Sequence, residues 1–290
     1  MCIRMERARN KRQVSSDGVA IAHTSWDTLT GRQAESRRLA DAIRGRESLL
    51  IWGPPDAGKT ALVKTVIDRL PGKESRNCIY WSGAASVRHL VGELIRFLYL
   101  VGDPVVRKKV RADGAMEASL NRWLREQTSG RLRVLLYTAT QKSRYWFFLD
   151  HLPPATHSMA RLMKDIIWKC KTPVYLLARS YSHAEIGYAW SLYWNDTLHI
   201  HMGPLKERAA RELLENCIRG RGLGVLDLEN FREDILRLSG HLPGSIMKMC
   251  ELAANPHYHY KDQIKIKLVH VDYLMRSTLS SARLSQHSLL

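Results

Sequence analysis

The sequence predicts a parallel α/β core followed by a small all-helical domain, and three observations predict it. A strand-length apolar run at 48–52 (S-L-L-I-W) leads into the turn G-P-P-D-A-G-K-T and then into a helical pattern over 61–70. Further short apolar runs at 77–81, 145–150, 174–178 and 197–201 alternate with amphipathic stretches. Beyond Gly203 the pattern is wholly helical to about Met275. Strands that alternate with helices belong to parallel sheets, because each crossover needs a long segment to carry the chain back to the starting end.

The glycine-rich turn fits G-x-x-x-x-G-K-[ST], a loop that cradles polyphosphate. Gly53 and Gly58 let the backbone wrap closely round an anion, with N–H groups turned inward; Pro54, Pro55, Asp56 and Ala57 make up the loop between them. Lys59 supplies a point charge for the outer phosphates, and the Thr60 hydroxyl joins a Mg²⁺ shell. Ala61 opens the helix, whose positive N-terminal end faces the phosphates. The strand before and the helix after are the context this motif requires, so the chain is expected to bind ATP or GTP.

The run Y-W-F-F-L-D at 145–150 lies about ninety residues downstream. It matches the Walker B pattern, in which a buried strand delivers a carboxylate, here Asp150, to the Mg²⁺ shell beside the phosphates. Val174 to Ala178 reads as another buried strand, with Pro173 tolerated at its start. Arg179 then falls at the C-terminal end, where open α/β sheets hold ligands; a surface arginine paired with an acid is the other reading. Helical patterns are expected over 87–100, 116–126, 158–171 and 185–194, and 132–137 is read as helix. His199 and His201 are read as strand-surface residues, since no third metal ligand is in view.

A chain of 290 residues has room for one large domain or two modest ones. Its formal net charge of +17 points to an anionic partner such as nucleic acid, an acidic protein or a membrane surface, or to a basic host proteome. Cys2, Cys78, Cys170, Cys217 and Cys250 form no C-x-x-C pair, which argues for reduced thiols in a cytoplasmic setting and against a zinc or disulfide framework. No apolar run approaches the ~20 residues of a membrane span, so no membrane partner is expected. Residues 1–13 carry Arg4, Arg7, Arg9, Lys11 and Arg12 without an apolar stretch, which suits a basic arm or a solvated tail rather than a secretory signal.

Several of these features, taken in order, resemble the AAA+ and STAND ATPases, including the NB-ARC and origin-recognition types. Gly31-Arg32-Gln33 with Glu35, ahead of a helix and the phosphate-loop strand, resembles their "GRE" arm. In those families the arm lies over the adenine, which implies base contacts for Gly31 and Arg32; an ordinary helix N-terminus is the alternative. The strand ending in Arg179 is similar to their sensor-1 "TTR" strand, implying a contact with the γ-phosphate. P-L-K-E-R-A-A-R-E-L-L-E-N-C at 204–217 resembles the helix that opens their lid, and L-S-G-H-L-P-G-S-I at 238–246 resembles their GxP motif. That motif's proline packs on the adenine, which points here to Pro243.

Two positions depart from the pattern. His151 stands where these enzymes carry the Glu or Asp that polarises the attacking water. A histidine with a pKa near ~6.5 can act as a base, yet it supplies no permanent negative charge. A sensor-2 arginine is not evident in the lid, where Lys248 is the nearest basic residue.

The expectation is therefore an α/β P-loop NTPase of the additional-strand class. It comprises a basic arm (1–28), a core with a five-stranded parallel sheet (29–202), a small all-helical lid (203–276) and a tail (277–290). In the expected mechanism ATP with Mg²⁺ bridges core and lid and controls a switch, with slow hydrolysis. Lys59 and Thr60 hold phosphate and metal, Asp150 holds the metal shell, Arg179 senses the γ-phosphate, and His151 stands at the catalytic position. Three classes stay open at this point. One is a regulatory ATPase that works with a protein partner or as a homo-oligomer. Another is a DNA-associated AAA+ ATPase of replication or transposition type, favoured by the charge and by Arg107, Lys108, Lys109 and Arg111. The third is a non-hydrolysing nucleotide-binding scaffold, suggested by His151.

Overall fold

The computed structural model describes residues 29–83, 86–142 and 144–286, with side chains at all of these except 142, 225 and 279–286. The expected arm (1–28) and the end of the expected tail lie outside the described residues.

Strands β1 (Leu49–Trp52), β2 (Cys78–Ser82), β3 (Trp146–Asp150), β4 (Val174–Ala178) and β5 (His199–His201) form one parallel sheet in the order β2-β3-β4-β1-β5. β4 thus stands between the strand that leads into the phosphate loop and the strand that ends in Asp150. Every residue of β3 and β4 is buried, which is why both read as unbroken apolar runs rather than alternating ones.

One face of the sheet packs against α4 (Val87–Leu100), α7 (Ser129–Lys142) and α8 (His157–Trp168), in a core that includes Leu94, Leu136, Phe147, Met163 and Leu176. The opposite face is covered by α1 (Gln33–Gly45) and α2 (Lys59–Arg69), around Leu39, Ile43, Ile51, Val63 and Tyr175. The Trp146 indole donates to the Ile43 carbonyl at 3.0 Å, so the one polar atom of that ring does not go unpaired in the core. A short helix α3 (Gly72–Asn77) precedes β2, and α5 (Pro104–Ala112) and α6 (Leu120–Glu126) are inserted between α4 and α7. Asp103 anchors that insert: it caps α5 by accepting from the Val106 N–H at 2.9 Å, and it accepts from the Tyr145 hydroxyl at 2.9 Å at the root of β3.

After Gly203 the chain forms a second unit with its own core, including Leu213, Phe231, Ile235, Ile246 and Met249. It contains α10 (Glu207–Gly220), α11 (Glu229–Ser239), α12 (Pro243–Ala253) and α13 (Ile266–Gln286). It is not wholly helical as expected, because β6 (His259–Tyr260) and β7 (Gln263–Ile264) pair antiparallel between α12 and α13. The boundary expected at 277 falls inside α13: no glycine or proline interrupts 266–286, so nothing stops the helix there. The single helix expected over 185–194 is broken in two, α9 (His183–Ile186) and a 3₁₀ segment Tyr188–Tyr193. Gly187 separates them at φ 63°, and a Cβ there would collide with the backbone of Ala155.

Candidate nucleotide-binding site

The phosphate loop leaves β1 where three parallel strands end together. The Gly53 N–H donates to the Ala178 carbonyl at 3.3 Å, and the Met202 N–H donates to the Trp52 carbonyl at 2.7 Å. Strands β4, β1 and β5 are thereby held at their C-terminal ends, with the loop between them. A Cβ at Gly53 would collide with the Met202 carbonyl oxygen, so glycine is needed there for close backbone approach. Asp56 (φ 63°) and Gly58 (φ 89°) both take left-handed backbone, which turns the loop back onto the N-terminus of α2. Lys59 folds over the loop and donates from Nζ to the carbonyls of Gly53 (2.6 Å) and Pro54 (2.9 Å). Burial lowers the pKa of its ammonium, and the opposing pull of Asp150 only partly offsets this.

Asp150, 3% exposed, ends β3 beside this loop. One oxygen, Oδ2, accepts from the Thr60 hydroxyl at 2.6 Å and from the Tyr80 hydroxyl, while Oδ1 accepts from the His151 N–H at 2.9 Å. Burial, followed by the Asp150 charge, raises the Tyr80 pKa well above its ordinary value, so the phenol stays a donor. A buried carboxylate and a hydroxyl 2.6 Å apart, next to a glycine-rich loop at a helix N-terminus, suit a hard divalent cation that takes one or two protein oxygens and keeps phosphate and water for the rest. Thr60 and Asp150 would hold it, and the bound ion would neutralise charge on the phosphates.

Asp150, Arg179, Glu185 and Asp56 all act electrostatically on the Lys59 ammonium. Arg179 follows β4 directly and is exposed. Its backbone N–H donates to Glu185 Oε1 at 3.2 Å. His151 takes left-handed backbone (φ 54°), its side chain is 46% exposed, and its Nε2 lies 3.7 Å from Asp150 Oδ1.

The helical unit closes on the same loop. The Gly244 N–H donates to the Asp56 carbonyl at 2.8 Å. Lys248 (2.7 Å), Tyr273 (3.0 Å) and Ser245 (3.5 Å) all donate to the Asp56 carboxylate. Pro243, buried at the first turn of α12, would lie 3.5 Å from a Cβ on Gly58. Arg32, 4% exposed, spans the junction: it donates to the carbonyls of Ala57 (3.2 Å) and Gly203 and pairs with Glu35 at 3.0 Å. Its two Nη atoms are thus engaged by backbone and by its own helix, while Nε is buried without a partner among the described residues.

No protein-family model and no curated protein matches the chain. Solved structures do. The Walker-type ATPase PABY2304 of Pyrococcus abyssi superposes with a TM-score of 0.56 at 16% identity, over 88% of this chain and 75% of that one. The ORC1 protein of Aeropyrum pernix, solved in complex with DNA, superposes with a TM-score of 0.54 at 17% identity, over 85% of this chain and 66% of that one. The chain has an α/β P-loop NTPase fold.

On this core the structure brings Gly53, Pro54, Pro55, Asp56, Ala57, Gly58, Lys59, Thr60 and Ala61 into one loop and first helical turn, with Asp150 and Arg179 at the ends of neighbouring strands. Pro243 adjoins the loop from the lid. Tyr80, Glu185 and Tyr273 were not singled out in the sequence. Tyr80 and Tyr273 carry no local signal, because each reaches the site only through tertiary packing. Glu185 sits in an S-x-x-E pattern with Ser182, which announces a helix start and nothing more.

Proposed function

We propose that this chain binds ATP with Mg²⁺ and acts as a nucleotide-controlled switch that hydrolyses ATP slowly. The observation that carries the reading is the meeting of Thr60 and Asp150, ninety positions apart, at 2.6 Å beside the Lys59 ammonium. The loop amides and Lys59 bind the phosphates, Thr60 and Asp150 hold the metal, and Arg179 reaches the γ-phosphate from the end of β4. Pro243, which adjoins the loop from the lid, packs on the adenine in this reading. Because Asp56 and Arg32 tie the loop to the lid and to Gly203, a change in what the loop holds is felt at the core–lid junction; that differential contact is what a switch requires. Equilibrium binding of ATP, with turnover measured on wild type and Asp150→Ala, tests the reading. Binding weakened and turnover abolished in the variant support it, and an undiminished variant overturns it.

A DNA-associated role is the second reading. It is favoured by the exposed face of α5, with Arg107, Lys108, Lys109 and Arg111, and by the likeness to a protein solved with DNA. Contacts of that kind go to backbone phosphates, so DNA binding should fall steeply with added salt. Arg107→Glu with Lys108→Glu should abolish it. A non-hydrolysing scaffold is the third reading, motivated by His151, and turnover in the wild type rejects it.

A further inference from the structure

We propose that Glu185 is the catalytic carboxylate of this site, taking the role that residue 151 does not fill. The inference rests on the hydrolytic reading above and supplies the group that reading lacks.

Asp150 at the end of β3, Asp56 in the phosphate loop and Glu185, bonded to the backbone that follows β4, are carboxylates at the same edge of the sheet, and two of them are committed. Asp150 accepts from Thr60, Tyr80 and the His151 backbone, and it is the metal-holding group. Asp56 accepts from Lys248, Tyr273 and Ser245 and faces the lid. Glu185 uses Oε1 to accept from the Arg179 N–H at 3.2 Å, and among the described residues no donor reaches Oε2. That single bond orients the carboxylate and leaves one oxygen for water.

The backbone puts this group where the chemistry is. The Ala155 N–H donates to the Ile186 carbonyl at 3.1 Å, and the Tyr188 N–H donates to the Ala155 carbonyl at 2.8 Å. Gly187 lies so close to Ala155 that no side chain fits between them. The loop that follows Asp150 is thus stitched directly to the segment that carries Glu185. Between them lies a small cleft walled by Leu152, Pro153, Leu176, Ala178 and Ile186, with Glu185 as its one charged lining residue.

In the step assigned to it, Glu185 accepts a proton from a water whose oxygen forms a bond to the γ-phosphorus. The bond from that phosphorus to the β–γ bridging oxygen breaks, and its electron pair leaves on ADP. Inorganic phosphate is the other product, and the proton passes from Glu185 to solvent.

Glu185→Gln separates this role from a structural one, because glutamine still offers an acceptor oxygen to the Arg179 N–H but cannot take a proton. The expected result is a fall in kcat of about 100-fold or more, with ATP affinity and melting temperature close to wild type. Glu185→Asp, which restores the charge at shorter reach, should recover part of the rate. Glu185→Gln at the wild-type rate overturns the proposal, as does loss of turnover in His151→Gln with none in Glu185→Gln. Equal losses in Glu185→Gln and Glu185→Asp, matched by loss of ATP affinity, show a merely structural residue and also overturn it. A wild type that binds ATP without turning it over fails the hydrolytic reading itself, which distinguishes that failure from the failure of Glu185 alone.

Discussion

The carboxylate of Asp56, at the tip of the phosphate loop, lies 2.7 Å from the ammonium of Lys248 on lid helix α12. The lysine is 55% exposed, so the pair by itself contributes little, about 0–1 kcal/mol. The aspartate matters more, since it also receives Tyr273 and Ser245. Lys248→Ala should therefore leave stability almost unchanged, whereas Asp56→Ala should speed amide exchange across α12 and α13 relative to the sheet. Unchanged exchange in Asp56→Ala would mean that apolar contacts alone hold the lid.

Lys59→Met should weaken ATP binding by about 10- to 100-fold, the value of one or two hydrogen bonds from a charged donor. It should not lower the melting temperature, because burial already disfavours the charged ammonium. Calorimetric titration paired with a thermal melt checks both halves. A large drop in melting temperature would show that the lysine is mainly a structural brace for the Gly53 and Pro54 carbonyls.

Gly53→Ala should cost about 1–3 kcal/mol, because the new methyl meets the Met202 carbonyl and forces β1 and β5 apart. Gly72→Ala is the control: a Cβ there meets nothing within 4 Å, and a change under about 0.5 kcal/mol is expected. Urea unfolding of the two variants should separate them clearly; similar midpoints would refute the packing argument.

Stability should fall on the alkaline side. Burial, with Glu74 adding to it, pushes the Cys78 thiol from an ordinary 9.0 to about 12. Burial and then the Asp165 charge push Tyr137 from 10.0 to about 12. Tyr80, Tyr175 and Tyr193 are raised further, chiefly by burial. The unfolded chain releases these protons at ordinary values while the folded chain keeps them, so the folded state binds more protons in that window. Their contribution is fully present below a pH of about 9 and is lost as pH rises toward about 12. Denaturation midpoints taken across this range should be level and then decline; a midpoint that stays level at high pH counts against buried, protonated phenols.

Much of this arrangement was legible along the chain, for identifiable reasons. The phosphate loop is contiguous, so its glycines, lysine and threonine carry their chemistry at fixed spacing. Buried strands such as 146–150 and 174–178 show as unbroken apolar runs, since both faces are covered. Breaks that depend on contact were not legible. Gly187 interrupts the segment after β4 only because Ala155 lies against it, and the β6–β7 pair is too short for a periodic pattern to declare it.

What the sequence by itself determined was local: a glycine-rich loop between a strand and a helix, a carboxylate ending a buried strand, and the alternation that makes a parallel sheet. What only the tertiary structure decided was which distant groups share a site. Tyr80 reaches Asp150, Asp56 reaches Lys248 and Tyr273, and Glu185 reaches the Arg179 N–H, because strand order and lid closure bring them there. Spacing encodes neighbours within a turn or a strand, whereas contacts across elements depend on how packed faces meet, and single residues carry no mark of that.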